Sequence, residues 1–404
     1  MAISTKREKL IVIDTKNKMT YPGFSLSYCT NLWCIHQSLI SMELVSLLGE
    51  NRFNLCLFGN MSDGQFLLGH DEPTPDFKWI AGPPHSSSDM ERLSQIVCDA
   101  DVAVLGACPR EVLTARAKTG KLTFIMSERI HKTPIPWWRW MDPRFHRGLM
   151  MYRSIANRDN VHYLAMGAYA AEDARRIGAY GDRMWTWAYL PEVTPQPLHP
   201  RTKTQMSILW VGRMLEWKRV DFLLKAVANI CHEPTFDRLD VVGTGPEKER
   251  LLKLARQLGL RDKCIFHEPV SPAKVRELMR QSDVYVLPSN RHEGWGAVAN
   301  EAMSEGAVLV ANEQAGAARI LVDHGRTGFL FEDDNIGSLT TILQTLLADA
   351  LLRETVRQAA WQAMHQRWHP RIGAERLVGL CQGLLGLAPM PENKDGLCSC
   401  VLEK

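Results

Sequence analysis

The stretch VYVLPSNRHEGWGAVANEAMSEGAVLVAN, residues 284 to 312, concentrates residue types that could do chemistry. A buried strand is expected to end at Pro288, a polar loop follows, Gly294 and Gly296 bracket Trp295, and a helix begins within AVANEAM. Free backbone N–H groups at such a helix start make a ready anion site. Glu293 and Glu301 are separated by seven residues, one in the loop and one on the helix. A carboxylate beside an anion site would repel phosphate, so Glu293 suits uncharged sugar hydroxyls, and Glu301 could accept both hydroxyls of a ribose. Taken alone, a helix-start Glu favoured by the dipole and a surface helix Glu would account for both.

Two further loops have the same strand-to-helix character. SILWVG opens into RMLEWKRVDFLLKAV and places Arg213 and Lys218 around the turn. At the end of a parallel strand, two cations face whatever occupies the cleft. There they could neutralise charge on a departing diphosphate, a contribution of about 2–4 kcal/mol for one well-placed donor; the plain alternative is two solvated surface cations. LDVVGTGPEKERL carries Gly243-x-Gly245-Pro246, which lets backbone approach a ligand closely but lacks the third glycine of a dinucleotide fingerprint.

Positioning these loops takes a particular scaffold. Short apolar runs alternate with amphipathic segments, which predicts an α/β fold with parallel sheets. The expected strands of the first half are LIVID (10 to 14), FNLCLF (53 to 58), VAVLGA (102 to 107), LTFIM (122 to 126), VHYLAM (161 to 166) and MWTWAY (184 to 189). The second half repeats the pattern with SILWVG (207 to 212), RLDVVG (238 to 243), CIFHE (264 to 268), VYVLP (284 to 288) and AVLVAN (307 to 312). Four prolines between Pro191 and Pro200 mark a linker. The expected organisation is therefore a domain over 1–195, a second over 196–370, a C-terminal helix over 371–388 returning to the first domain, and a flexible tail over 389–404.

Composition sets the outer bounds. The 404 residues are 45% hydrophobic and 23% charged, an ordinary globular profile with room for two or three domains. A formal charge of +3 gives no ground for nucleic-acid binding. The ten cysteines contain no C-x-x-C pair and, with no His cluster at zinc spacing, indicate neither a disulfide framework nor a metal site. The N-terminal apolar run is too short for a secretory leader and no stretch is long enough to span a membrane, so a cytoplasmic protein without a cofactor is expected.

Arg213 with Lys218, GTGPE, Glu293 with Glu301 in EGWGAVANEAM, and GRTGFLF at 325 to 331 together resemble retaining nucleotide-sugar glycosyltransferases of family 4, with the GT-B fold. The resemblance implies two Rossmann-like domains facing across a cleft, with C-terminal helices and metal-independent transfer. It implies Arg213 and Lys218 on the donor diphosphate, Glu301 on the ribose, and Glu293 on the transferred sugar with Gly294, Trp295 and Gly296 beside it. Gly243 and Gly245 would border the donor, and backbone near Val270 would read the base, where FHEPV departs from the common pattern. A UDP-sugar is favoured over a GDP-sugar on the same ground.

Parts of the first half resemble a branch found in bacterial surface-polysaccharide biosynthesis. NLWCIHQSL (31 to 39) raises His36, and KLTFIMSERIHK (121 to 132) raises Glu128, as residues on the acceptor side of the cleft. Helical neighbours Leu32, Leu39 and Ile40 would equally make His36 a packed core histidine, and Arg129 or Lys132 could engage Glu128 in an ion pair. YLAMGAYAAEDARRIGAYGDRMWTWAYLPE (163 to 192) fits the same branch with Gly167 in place of the usual Ser. PIPWWRWMDPRFHRGLMMYR (134 to 153) interleaves tryptophans and arginines, which suits a membrane surface or a lipid-linked acceptor, or else a partly buried irregular segment. Asp99-Ala-Asp101 imitates a metal-binding D-x-D but reads better as a helix end. The resulting expectation is retaining transfer of a hexose-type sugar to a saccharide or lipid-linked saccharide acceptor, in capsular polysaccharide, O-antigen or related glycan synthesis. A nucleotide-sugar 2-epimerase and a non-catalytic binding protein of similar fold are the rivals.

Overall fold

The computed structural model describes residues 23–59, 74–131, 135–193, 198–201 and 204–401. The LIVID run lies outside them, as do Lys132 and part of the linker. In chain order the first half holds β1 (Leu26–Thr30), α1 (Ile35–Leu48), β2 (Phe53–Leu57), β3 (Ile80–Ala81), α2 (Ser87–Asp99), β4 (Val102–Leu105), α3 (Arg110–Lys118), β5 (Leu122–Ser127), α4 (Pro143–Ala156), β6 (Val161–Met166), α5 (Ala170–Arg176) and β7 (Met184–Trp187). The second half holds β8 (Met206–Val211), α6 (Val220–Ala228), β9 (Phe236–Val242), α7 (Lys248–Gln257), β10 (Cys264–His267), α8 (Pro272–Gln281), β11 (Val284–Leu287), α9 (Val298–Ser304), β12 (Val308–Asn312), α10 (Ala318–Leu321) and β13 (Phe329–Phe331). Helices α11 (Ile336–Ala348), α12 (Ala350–Arg367) and α13 (Pro370–Leu384) follow.

The strands form two parallel sheets, ordered β3-β2-β1-β4-β5-β6-β7 and β10-β9-β8-β11-β12-β13. In both, the order reverses beside the first strand, between β1 and β4 and between β8 and β11. Ligands of open parallel sheets bind outside the carboxyl ends of the strands at such a reversal. This is the two-domain Rossmann-like architecture that the alternating runs predict.

The expected strands FNLCLF, VAVLGA, LTFIM, VHYLAM and MWTWAY correspond to β2, β4, β5, β6 and β7, and the five of the second half to β8 through β12. Strand β1 was hidden in the sequence because Ser27 and Thr30 interrupt its apolar run. Both side chains are buried, and Ser27 Oγ donates to the carbonyl of Ile96 at 3.2 Å, so small hydroxyls stand where aliphatic groups were expected. The short edge strands β3 and β13 escaped notice for lack of length.

The two halves share one apolar core, which runs through Trp187, Leu190, Trp295 and Ala299. Helix α13 packs on α1, where Gly373 leaves room for Leu190 and Ile40. The described part of the linker is held to the second domain: Arg201 reaches Asp283, just before β11, at 2.9 Å, and from α12 Arg357 donates to the carbonyl of His199 at 2.7 Å and Arg353 to that of Thr204 at 3.0 Å.

The expectation of a flexible tail is overturned over its described residues. Thr186 N–H donates to the carbonyl of Ser399 at 2.9 Å, Cys398 N–H to that of Thr186 at 2.8 Å, and Val401 N–H to that of Met184 at 3.0 Å. The tail thus covers the exposed edge of β7, while Leu397 and Cys398 are buried. The charged and proline-rich residues before it mask the short apolar anchor at Leu397 and Cys398. All ten cysteines are free thiols. Among the described residues no helix is long and apolar enough to cross a membrane.

Candidate active site

The cations sit on the loop leaving β8. A single 3-10 turn, Glu216–Lys218, is reversed by Arg219 in the left-handed region at φ 54° before α6 begins. That strained corner is held by Arg219 stacking over Phe222 at 3.7 Å and pairing with Asp334 at 2.7 Å. Lys218 lies over the Trp217 ring at 4.6 Å, and Arg213 is exposed at the rim. The glycines of GTGPE serve this corner directly. A Cβ on Gly243 would stand 2.0 Å from the Gly212 carbonyl oxygen, and one on Gly245 2.4 Å from that of Met214. The backbone they admit is that of the Arg213 turn, so their place at the site is to seat that turn.

The loop leaving β11 is tied to the same corner by Asn290 N–H, which donates to the Trp217 carbonyl at 3.1 Å. Its next residues carry Glu293, whose carboxylate forms an ion pair with Lys218. The side chains are only 15% and 10% exposed, so the pair is shielded from solvent on most sides. The side chain of Trp295 does not face the cleft. It is fully buried, donates from Nε1 to Asn300 Oδ1 at 2.7 Å and packs edge-on against Tyr189. Any donor contact from Trp295 must therefore come from its backbone, and the side chain anchors the loop in the shared core. Val270 is 38% exposed between β10 and α8.

The first domain brings His36 and Glu128 to this site. His36, in the first turn of α1 beside the reversal of its sheet, lies against Tyr189 with ring centroids 5.5 Å apart and places Nε2 3.3 Å from Glu301 Oε1. It is half-buried at the domain junction, a position between core packing and cleft. Burial pushes the Glu301 carboxyl up to about 7, with Arg276 pulling it down and Glu305 pushing it further up. Glu128, after β5, accepts from the Tyr189 hydroxyl at 3.3 Å. Arg129 is committed instead to Asp173, at 3.0 and 3.1 Å. Glu128 thus reaches the Gly294 backbone, next to Glu293, from the opposite domain.

Three glycines make that approach possible. A Cβ on Gly294 would stand 1.8 Å from Glu128 Oε2, one on Gly316 1.7 Å from the Gly294 carbonyl oxygen, and one on Gly167 2.8 Å from that same oxygen. Gly167 also has φ +105°, which explains glycine where the resembling branch has serine. Sequence reasoning missed Gly316 and Tyr189. The first follows β12 in NEQAG, and a glycine just past a parallel strand was the available signal. Tyr189 lay inside a run read only as strand; burial and the nearby Glu128 carboxylate push its hydroxyl pKa up.

The D-x-D imitation is structural. Asp99 ends α2, and Asp101 Oδ2 accepts from the Ser25 N–H and hydroxyl, each at 2.8 Å. Among the described residues no cluster of His, Cys, Asp and Glu has the arrangement of a metal site.

Two sheets of this order, with basic and acidic loops meeting at their reversals, define a protein of the GT-B class. Residues 197–363 match the model of the glycosyl transferases group 1 family. An uncharacterized glycosyltransferase of Haemophilus influenzae is 32% identical over 157 residues, 38% of this chain and 44% of the relative. A GDP-mannose-dependent alpha-(1-6)-phosphatidylinositol monomannoside mannosyltransferase of Mycolicibacterium smegmatis is 26% identical over 182 residues, 44% of this chain and 47% of the relative. Each match thus spans less than half the length of the curated relative. Among solved structures, HepE of Anabaena in complex with UDP superposes with a TM-score of 0.66 at 18% identity, covering 87% of this chain and 98% of that one. At that identity the likeness shows the fold.

Proposed function

We propose that this protein is a retaining glycosyltransferase. It moves a hexose-type sugar from a nucleotide-diphosphate donor, a UDP-sugar before a GDP-sugar, to a saccharide or lipid-linked saccharide acceptor in the assembly of a capsular polysaccharide, O-antigen or related glycan. The observation that carries the reading is the meeting of the Lys218–Glu293 pair from the second domain with Glu128 and His36 from the first. One side supplies cations for a leaving diphosphate and carboxylates for hydroxyls. The other supplies a carboxylate and an imidazole where an acceptor would enter.

In this reading the diphosphate lies on Arg213 and Lys218 beside the Gly243–Gly245 turn. Lys218 exchanges the Glu293 carboxylate for the diphosphate, and Glu293 is released to accept from the transferred sugar. Glu301 exchanges His36 for the ribose hydroxyls, and backbone near Val270 borders the base. The acceptor hydroxyl attacks the face from which the diphosphate leaves and passes its proton to a phosphate oxygen, so no covalent enzyme intermediate is required. Cations fixed in a partly dry cleft stabilise the leaving charge with little reorganisation.

The preference for uridine is supported by the resemblance and by HepE, a neighbour solved with UDP and with UDP-glucose; the mannosyltransferase relative is named for GDP-mannose. The exposed tryptophans and arginines of residues 135–153 support a peripheral contact with the inner face of the cell membrane. The test is incubation with UDP-, GDP- and ADP-sugars and an acceptor panel, with the anomeric configuration of the product read by NMR. Retention is expected. An inverted product overturns the mechanism, and donor isomerised without acceptor overturns the transfer.

A further inference from the structure

A cavity of about 210 Å³ lies beside the proposed reaction centre, between the end of the Ser-Glu-Arg segment, α5 and the loop leaving β11. His131, Trp140, Asp173, Arg176 and Arg291 are among the residues lining it. Its charges do not balance. Asp173, the acid in the wall, accepts from Arg129 with both oxygens and from the His131 N–H at 3.3 Å. Arg176 holds Glu172 with one nitrogen on the solvent side. Arg291 has no ion-pair partner among the described residues, and its Nε is buried without a hydrogen bond. Burial and the nearby Arg139 hold His131 below the ordinary imidazole range, opposed by Asp173. A buried guanidinium nitrogen without an acceptor is matched by an anion, and the planar fork of arginine fits a phosphate group.

Position ties the cavity to the centre. Arg291 stands two residues before Glu293 and His131 three residues after Glu128. Their Cα atoms are therefore at most about 8 and 11 Å from those of the two carboxylates. On its other side the cavity shares the Trp140 wall with an open groove of about 790 Å³ lined by Met141, Arg147, Met150 and Met151. Met150 is 70% exposed and Met141 67%, an apolar strip with arginine beside it. Between Pro143 and Arg158 the chain carries no acidic residue.

We propose that these two spaces form one acceptor subsite for a phosphate-bearing amphiphile. The phosphate sits against Arg291, Arg176 and His131, and the hydrocarbon chain lies along Trp140, Met141, Met150 and Met151. This rests on the reading of an acceptor entering from the first domain and names its chemical class. The acceptor hydroxyl would then stand a sugar's length from the phosphate, at Glu128 and Glu293.

The test needs no sugar donor. Binding of decyl phosphate below its micelle concentration, inorganic phosphate and the neutral decyl maltoside is measured by calorimetry on the full chain. Decyl phosphate is expected to bind about tenfold or more tightly than either of the others, as expected for a charge-assisted contact added to apolar burial. Arg291→Gln should remove the preference over decyl maltoside, and Trp140→Ala the preference over inorganic phosphate, each with the melting midpoint kept. If Arg291→Gln does not fold, Arg176→Gln gives the same readout from the protein surface. Inorganic phosphate binding as tightly as decyl phosphate would identify a free-phosphate site and overturn the amphiphile. Equal binding of the phosphate and the maltoside, or no effect of either arginine variant, overturns the anion site. Amphiphile binding that persists in a protein unable to bind any nucleotide-sugar would sink the transferase reading alone.

Discussion

Replacing Lys218 by Ala removes one charge from two interactions at once. At saturating donor the diphosphate loses a fixed cation, which should lower kcat by about 10²–10³, or roughly 2.7–4 kcal/mol of barrier. In the free protein the same change strands Glu293, whose side chain is 10% exposed. A fully buried stranded charge costs about 3–5 kcal/mol, but Glu293 borders the cleft and can rehydrate, so about 1–3 kcal/mol of stability is expected, the range for an unsatisfied group. The two effects separate in Lys218→Ala/Glu293→Gln. The double variant should recover most of the stability and none of the turnover. The assay is donor-saturated kcat from nucleoside-diphosphate release, with a melting curve on each variant. A folded Lys218→Ala with kcat within about threefold of wild type, against the hundredfold expected for a lost electrostatic donor, would refute the assignment.

Further outcomes follow from the same geometry. Gly294→Ala and Gly316→Ala should differ in kind. The first drives a methyl into the movable Glu128 carboxylate, with Glu128 Cβ 3.0 Å away, and should lower turnover with the smaller loss of stability, while the second meets the Gly294 carbonyl and should cost about 1–3 kcal/mol in a urea titration. Glu301 is raised from 4.5 to about 7 in the folded chain, so its protonation favours the native state. That contribution is complete below pH 4.5 and is lost as pH rises through 7, which amounts to about 3 kcal/mol for such a shift. Stability measured against pH should therefore show Glu301→Gln gaining on wild type between pH 5 and 8, and nucleotide binding by wild type should tighten over the same interval. Deleting residues 393–404 uncovers the edge of β7 and removes the burial of Leu397 and Cys398, so the truncated chain should melt lower and aggregate on heating.

What the sequence revealed followed from local pattern. Continuous apolar runs marked the strands between the helices, and the family resemblance carried by Arg213, Lys218, Glu293 and Glu301 pointed to the loops that converge. Strand β1 was illegible because buried Ser27 and Thr30 break its hydrophobic run, although both hydroxyls are satisfied inside. The tail misled because Leu397 and Cys398 sit among charges and prolines. The facing half of the site depended on contacts between residues far apart in the chain. No local rule joins Gly167 to Gly294 and Gly316, or Tyr189 to Glu128, and glycines chosen for close approach look like any turn glycine. Arg291 lies in plain view within the polar loop SNRHEG, but its unmatched Nε is a property of the cavity around it that no local pattern shows.

The proposed transfer depends most on donor binding in the second domain with Glu301 on the ribose. Thermal shift against UDP, GDP, ADP and their sugar conjugates, for wild type and Glu301→Gln, tests it directly. At a hundred times Kd a native-state ligand adds about 2.7 kcal/mol, a rise of several degrees for domains of this size. One nucleotide series is expected to raise the wild-type midpoint and to leave Glu301→Gln unmoved. No shift with any nucleotide at millimolar concentration, or an equal shift in the variant, would contradict the account.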